Sequence, residues 1–392
     1  MKKIVLAYSG GLDTSIILRW LQENYNSEVI AYTADIGQVI DRKKIIKNAK
    51  RLGVKKIIIE NLKKTFVQEY VFPMIRAHAL YEGMYYLGTS IARPLIGKRQ
   101  IFIAKKMKAF AVSHGATGKG NDQIRFELAY AYFGKKIKVI APWREWKLQS
   151  RSDLIKYAKK NNIPIPKDKK GKPPFSVDDN IFHTSTEGKV LENPRNAAPE
   201  FIFQRIAPLE KTPNKPTVIR IGFKNGDAIS INNKKLSPDK LLDKLNLIGG
   251  KNGVGRVDLV ENRFLGIKSR GVYETPGGTI LYFAHRAMES VTLDRKTMHL
   301  KDRIMPEYAE LVYIGYWFSK KRFKLQKIVD KKRKQVAGQV VLKIFKGNMI
   351  ILSRKTNNKA YSMKKVSFEE NKTFNKKKVE KFINFHARIL KK

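Results

Sequence analysis

Apolar positions follow two periods along the first 140 residues. Residues 3–8 (KIVLAY) form a short apolar run ending in SGG, and residues 14–25 follow with Ile16, Ile17, Leu18, Trp20 and Leu21 at helical spacing. The unit is strand, glycine turn, helix. It repeats: 29–36 reads as strand, 41–52 as charged helix, 57–59 as strand, 91–109 as helix, 110–113 as strand, 123–133 as helix and 137–140 as strand. Strands separated by helical crossovers lie parallel, so five of them fit one doubly wound α/β sheet.

The pattern changes after Trp146. Residues 151–175 read as a last basic helix and then the stretch PIPKDKKGKPPF, a linker by its prolines and lysines. Beyond it, 217–223, 228–231 and 279–284 read as antiparallel strands, with a turn at Lys224-Asn225-Gly226-Asp227. Residues 294–318 read as helix, and 336–345 with 349–353 as a hairpin. Residues 376–390, apolar at Val379, Phe382, Ile383, Phe385 and Ile389, read as an amphipathic helix that packs on another subunit or on its own domain. The expected parts are a doubly wound α/β domain at 1–165, an α+β domain at 175–365 and a C-terminal amphipathic helix at 366–392.

Composition narrows the chemistry. The chain has no cysteine, which excludes disulfides, thiolate zinc sites, iron–sulfur ligation and a catalytic thiol. No apolar run approaches the roughly 18 to 20 residues that span a bilayer, and the start MKKIVLAY leaves no room for a signal peptide. The expectation is therefore a protein without a membrane partner. The formal charge is +46, and residues 318–392 alone carry 24 Lys/Arg against 4 Asp/Glu. Such a balance attracts polyanions, but the lysines show no interleaved aromatics of the kind that stack bases. We expect a surface property, with no specific nucleic-acid partner.

Three motifs carry chemistry. The first is SGGLDTS at 9–15, after the first strand and opening the first helix. Two glycines let the backbone approach a ligand, the helix N-terminus faces an anion, and Ser9, Thr14 and Ser15 add hydroxyls. The alternative is a plain turn with Asp13 or Thr14 as N-cap. The run is neither a Walker A loop nor a G-x-G-x-x-G fingerprint. It resembles the PP-loop of the N-type ATP pyrophosphatases, which implies cleavage of ATP to AMP and pyrophosphate. The second motif, YTADIGQ at 32–38, ends the second strand, where the small Ala34 leaves room for an adenine. The third, SHGATGKGNDQIR at 113–125, places Asn121, Asp122 and Arg125 within about one helical turn, so they can converge on one zwitterion.

SGGLDTS, YTADIGQ, YEGMYYLGTSIARPLI and SHGATGKGNDQIRFE, in that order, resemble the argininosuccinate synthase family. The resemblance continues through FSVDDN, HTS, LENP, GVGRVDLVENRFLGIKSRGVYETP, LDRKTMHLK and AELVYIGYWFS. It implies an ATP-dependent ligase that joins citrulline and aspartate, with the first part binding nucleotide, the second acting as synthetase domain and the last helix serving oligomerisation. ATP would lie on Ala7, Tyr8, Ser9, Gly10, Gly11, Leu12, Asp13, Thr14, Ser15, Ala34 and Gly115. Aspartate would lie on Thr117, Asn121 and Asp122, and citrulline on Tyr85, Ser90, Asn121, Arg125, Ser176, Ser185, Glu261 and Tyr273. Asp13, Asp122 and Arg125 are the implied catalytic groups, Asp13 either near Mg²⁺ or capping its helix. The resemblance also implies a cytoplasmic homotetramer. Residues 39–44 (VIDRKK) depart from the acidic run usual there.

Two rivals remain at this point. A tRNA-thiolating enzyme would share the PP-loop but generally needs cysteines. A basic nucleic-acid-binding protein derived from the synthase would share the charge. His78, His183, His285, His299 and His386 show no metal-ligand spacing and read as structural.

Overall fold

The computed structural model describes residues 1–117, 120–148, 150–165, 175–358, 360–362, 366 and 376–390. The expected linker falls largely on residues 166–174, which lie outside the described residues. Five strands, β1 (Lys2–Ala7), β2 (Ser27–Asp35), β3 (Lys56–Asn61), β4 (Ala111–Ser113) and β5 (Lys138–Ile140), pair in parallel in the order β3-β2-β1-β4-β5. This is the expected doubly wound sheet. Ile4 and Leu6 of β1 enter one apolar cluster and Val5 another, so the central strand is buried on both faces. The strand order reverses between β1 and β4, and the loops that leave those two strands flank the crevice where such sheets bind ligands.

Each loop continues into a helix: Leu12–Tyr25 after β1, and Asp122–Phe133 after β4. A third helix, Gly88–Lys106, packs across β1 and β4. Buried Gln100 on it donates from Nε2 to the Val5 and Ser113 carbonyls at 2.8 Å each and accepts from the Tyr130 hydroxyl at 2.6 Å. That buried amide satisfies carbonyls on two neighbouring strands at the switch point. Residues 63–76, for which the apolar pattern gave no element, are helical with a π-helical turn at Val67–Val71.

Two antiparallel sheets follow. One comprises β6 (Ser176–Asp179), β7 (Thr184–Glu187), β11 (Arg256–Asn262) and β12 (Lys268–Glu274) in the order β11-β12-β7-β6. The other, β10-β9-β8-β13-β14, contains β8 (Thr217–Lys224), β9 (Asp227–Ile231), β10 (Lys234–Lys235), β13 (Gly338–Phe345) and β14 (Asn348–Lys355). Both expected hairpins of this part are present. The expected strand at 279–284 is not: those residues belong to the helix Pro276–Thr292. Its buried positions Ile280, Leu281, Ala284, Ala287, Met288 and Thr292 keep helical spacing, and Pro276 stands in the first turn, where its missing N–H costs nothing. Gly249 and Gly250 close the helix Pro238–Lys251, and the turn before β11 follows them. The helical stretch expected at 294–318 is Arg295–Tyr313, followed by Lys320–Asp330. The last helix, Lys376–Leu390, has the expected bounds, and its described side chains are exposed.

No helix among the described residues is long and apolar enough to cross a membrane. The charge lies on the surface: Arg76, Arg125, Lys301 and Arg322 are the buried cations among the described residues. Electrostatic RNA binding at low salt is therefore expected to collapse by physiological salt, where the Debye length is ~8 Å, without changing turnover. A salt titration of RNA binding alongside activity checks this; sequence-selective binding that survives at physiological salt would overturn it.

Candidate active site

The β1 loop forms one wall of a cleft of about 540 Å³. Gly10 adopts φ +78°, and a Cβ there would come 2.7 Å from Ile45 Cγ1, so the turn requires glycine. The helix begins at Leu12 with Gly11 as N-cap and no side-chain cap, which leaves its first-turn amides uncapped by any side chain. Asp13 and Thr14 are therefore inside the first turn and not the N-cap that the plain-turn alternative requires. Ser9 Oγ and Thr14 Oγ1 lie 3.0 Å apart on the rim. Ser15 is buried and shares a 3.1 Å hydrogen bond with the Tyr8 hydroxyl, so it braces the loop from within.

The opposite wall is the β4 loop. The Ala116 N–H donates to His114 Nδ1 at 3.2 Å, which leaves the proton on Nε2, 3.1 Å from Glu127 Oε1. That relay holds the loop carrying Gly115 and Thr117. Burial would raise the Glu127 carboxyl, but His114 and Arg144 outweigh it and pull it down to about 2. Asp122 opens the next helix and sits between two guanidiniums: Arg93 Nε donates to it at 2.8 Å and Arg125 Nη1 at 2.9 Å. Burial alone would raise its carboxyl; Arg93 and Arg125 together hold it below the usual range. Arg125 also donates from Nε to the Tyr313 carbonyl at 2.9 Å and lies over the Tyr313 ring.

The β11-β12-β7-β6 sheet supplies the floor. Ser176, Ser185, Glu261 and Tyr273 line the cleft from this sheet, and Tyr85 lines it from the segment before Gly88. The Tyr85 and Tyr273 rings lie 4.7 Å apart, and His183 stacks on Tyr273 at 5.2 Å. A Cβ on Gly88 would come 2.1 Å from His183 Cβ, so glycine lets the helix end seat directly on this floor. Burial drives the His183 imidazole down to about 3, with Arg205 adding to the effect, so it is neutral at physiological pH. Burial raises the Glu261 carboxyl to about 7; Arg125 pulls it back and Glu187 pushes it further up. Glu261 Oε2 and Asn121 Oδ1 are buried without a hydrogen-bond partner among the described residues.

Of the expected site residues, Ala7, Tyr8, Ser9, Gly11, Leu12, Asp13, Thr14, Ala34, Tyr85, Gly115, Thr117, Asn121, Asp122, Arg125, Ser176, Ser185, Glu261 and Tyr273 line this one cleft. Gly10, Ser15 and Ser90 do not; Ser15 and Ser90 are buried, Ser90 fully. Arg93, Asp178, Glu187 and Arg263 line the cleft too, and the motif reading gave them no role. Arg93 had a visible signal: it is the one charge in the otherwise uncharged run 86–97 (YLGTSIARPLIG).

Sequence spacing also missed a second cluster. His78 Nε2, His285 Nδ1 and Glu289 lie within ligating distance of one cation, although His78 is more than 200 residues from its partners. Lys301 already ion-pairs with Glu289, and the His285 Nε2 has no partner among the described residues to orient it as a ligand. The cluster reads as a buried ion network.

Two family models cover the chain: the arginosuccinate synthase N-terminal HUP domain matches residues 3–164, and the arginosuccinate synthase C-terminal domain matches residues 175–392. The chain is 75% identical to the argininosuccinate synthase of Pelagibacter ubique over 100% of this chain and 99% of that one. It is 57% identical to that of Parvibaculum lavamentivorans, covering 99% and 95%, and 55% identical to that of Rhizobium meliloti, covering 99% and 96%. The chain belongs to the argininosuccinate synthase family.

Proposed function

We propose that this cleft joins citrulline to aspartate at the expense of ATP, releasing argininosuccinate, AMP and pyrophosphate. The observation that carries the reading is the convergence of a glycine loop, a zwitterion-matched Asp122–Arg125 pair and a buried carboxylate, Glu261, on one cleft. The ureido oxygen of citrulline attacks the α-phosphorus, and the bond to pyrophosphate breaks. The amine of aspartate then attacks the ureido carbon, loses a proton, and the bond to AMP breaks. No step needs a thiol, in keeping with a chain that has none. A tRNA-thiolating role is not favoured.

The residues divide the work by charge. The loop of Ser9, Gly10, Gly11, Leu12, Asp13, Thr14 and Ser15 takes the phosphates on backbone amides and hydroxyls, while Ala7, Tyr8, Ala34 and Gly115 bound the rest of the nucleotide. Glu261 meets the ammonium of citrulline, Arg125 and the hydroxyls of Ser176 and Tyr273 its carboxylate, and Tyr85, Ser185 and buried Ser90 shape the pocket. Thr117, Asn121 and Asp122 hold aspartate. Positioning two substrates against a fixed loop accounts for most of the rate. Mg²⁺ would enter with ATP and balance the charge of pyrophosphate; Asp13, an oxygen donor lining the cleft beside Ser9 and Thr14, fits a hard cation. We further propose the division 1–165, 175–365 and 366–392, and a homotetramer in which the exposed Phe382, Ile383, Phe385 and Ile389 meet another subunit.

The test is an incubation with ATP and citrulline labelled with ¹⁸O at the ureido oxygen. Pyrophosphate, and neither ADP nor phosphate, is expected to form first, and AMP carrying the label is expected once aspartate is added. Unlabelled AMP would sink the adenylate route.

A further inference from the structure

The second amino acid brings more negative charge to the cleft than Thr117, Asn121 and Asp122 can balance. Aspartate carries two carboxylates and one ammonium, whereas those three side chains are two neutral groups and one anion. A carboxylate buried in a cleft needs a cation or several donors. Among the described residues, the guanidiniums that line this cleft are Arg93, Arg125 and Arg263. Arg125 and Arg263 both act electrostatically on Glu261, so they stand on the citrulline side of the floor. Arg93 stands on the other side of Asp122.

Its geometry suits the task. Arg93 Nε donates to Asp122 Oδ2 at 2.8 Å, and Nη2 donates to Asp178 Oδ1 at 2.5 Å. Neither bond uses Nη1. The guanidinium lies 5.9 Å from the Phe126 ring centroid, and its side chain keeps 18% of its exposure. An arginine and an aspartate side by side present the charge pattern opposite to that of an amino acid, whose ammonium and carboxylate are likewise adjacent.

We propose that Arg93 is a specificity-determining residue of this cleft, binding a carboxylate of the second amino acid while Asp122 takes its ammonium. The proposal rests on the reading of the cleft given above. Asp178, on β6, is the positioning residue: it holds the fork from the far sheet, so that the carboxylate site is complete only when both halves of the cleft are in place. A lysine could supply the charge but not the planar pair of donors.

The experiment compares wild type, Arg93→Lys and Asp178→Asn in two assays, pyrophosphate release with ATP and citrulline alone, and steady-state turnover with aspartate varied. In Arg93→Lys the aspartate KM is expected to rise roughly 10- to 100-fold, while citrulline KM and pyrophosphate release stay within about twofold. Asp178→Asn, which leaves Arg93 in place, is expected to raise aspartate KM by a smaller factor with kcat little changed. If Arg93→Lys does not fold, Asp178→Asn carries the same comparison. An unchanged aspartate KM, or a citrulline KM that rises as much as the aspartate KM, overturns the proposal. A wild-type enzyme that releases no pyrophosphate with citrulline overturns the reading beneath it and this proposal together.

Discussion

Glu261→Gln is expected to raise the apparent KM for citrulline roughly 10- to 150-fold at pH 8, the loss of one charge-assisted hydrogen bond worth about 1.5 to 3 kcal/mol. The apparent KM for ATP should change little. The pH dependence gives a sharper signature. Burial raises the wild-type Glu261 carboxyl to about 7, so below that pH the free cleft holds it neutral. In the proposed site citrulline's ammonium needs the anion, and each pH unit below about 7 should therefore weaken citrulline roughly tenfold. The variant has no proton to lose and should show no such slope. Stability moves the other way. Between the unfolded value near 4.5 and the folded value of about 7 the folded state binds the extra proton, so the wild type loses stability as pH rises through that window. The penalty levels off above 7 at on the order of 3 kcal/mol, and glutamine removes it. Citrulline KM and thermal midpoints at pH 6, 7 and 8 for both proteins check the pair of effects. A wild-type slope that persists unchanged in the variant would assign the titration to another group.

Where a segment is buried in its own sheet, its sequence announces it. The strands β1 to β5 are short apolar runs cut off by glycines or charges, and each was legible to within about three residues at either end. The sheet that floors the cleft was not. β6 reads SVDD and β7 reads TSTE, yet Thr184, Ser185 and Thr186 are buried. A strand whose inner face lines a polar cleft loses the alternation that marks strands elsewhere. The run at 279–284 erred for the opposite reason: five apolar residues in a row fit either period, and only the positions out to Thr292 resolve it. Motif resemblance located most cleft residues because it reports what a position contacts, which periodicity does not. It passed over Arg93 and Asp178, whose partners lie on different elements, and over His78, which meets Glu289 only through the tertiary fold.

Asp122→Asn should separate the two half-reactions. The side chain keeps its volume but loses the charge that Arg93 and Arg125 share, and removing one member of a largely buried charge pair costs about 2 to 5 kcal/mol at the site where it acts. That loss falls on aspartate, whose ammonium has no other carboxylate among its implied contacts. The aspartate-dependent step should therefore slow by roughly two orders of magnitude. In the proposed mechanism adenylation depends on the β1 loop and on Arg125, which keeps the Tyr313 carbonyl, so pyrophosphate release with citrulline alone should fall by less than about tenfold. The fold has its own dependence on this group. The Asp122 carboxyl is held below its ordinary value, so its contribution is present at neutral pH and is lost as pH falls through the lowered folded value. Asparagine lacks that contribution throughout, and the difference in thermal midpoint between the two proteins should shrink toward the acid limb. Rapid-quench measurement of pyrophosphate and argininosuccinate in the same samples decides the functional claim. Equal losses in both steps would mean that Asp122 holds the two arginines in place for citrulline and does not act on aspartate.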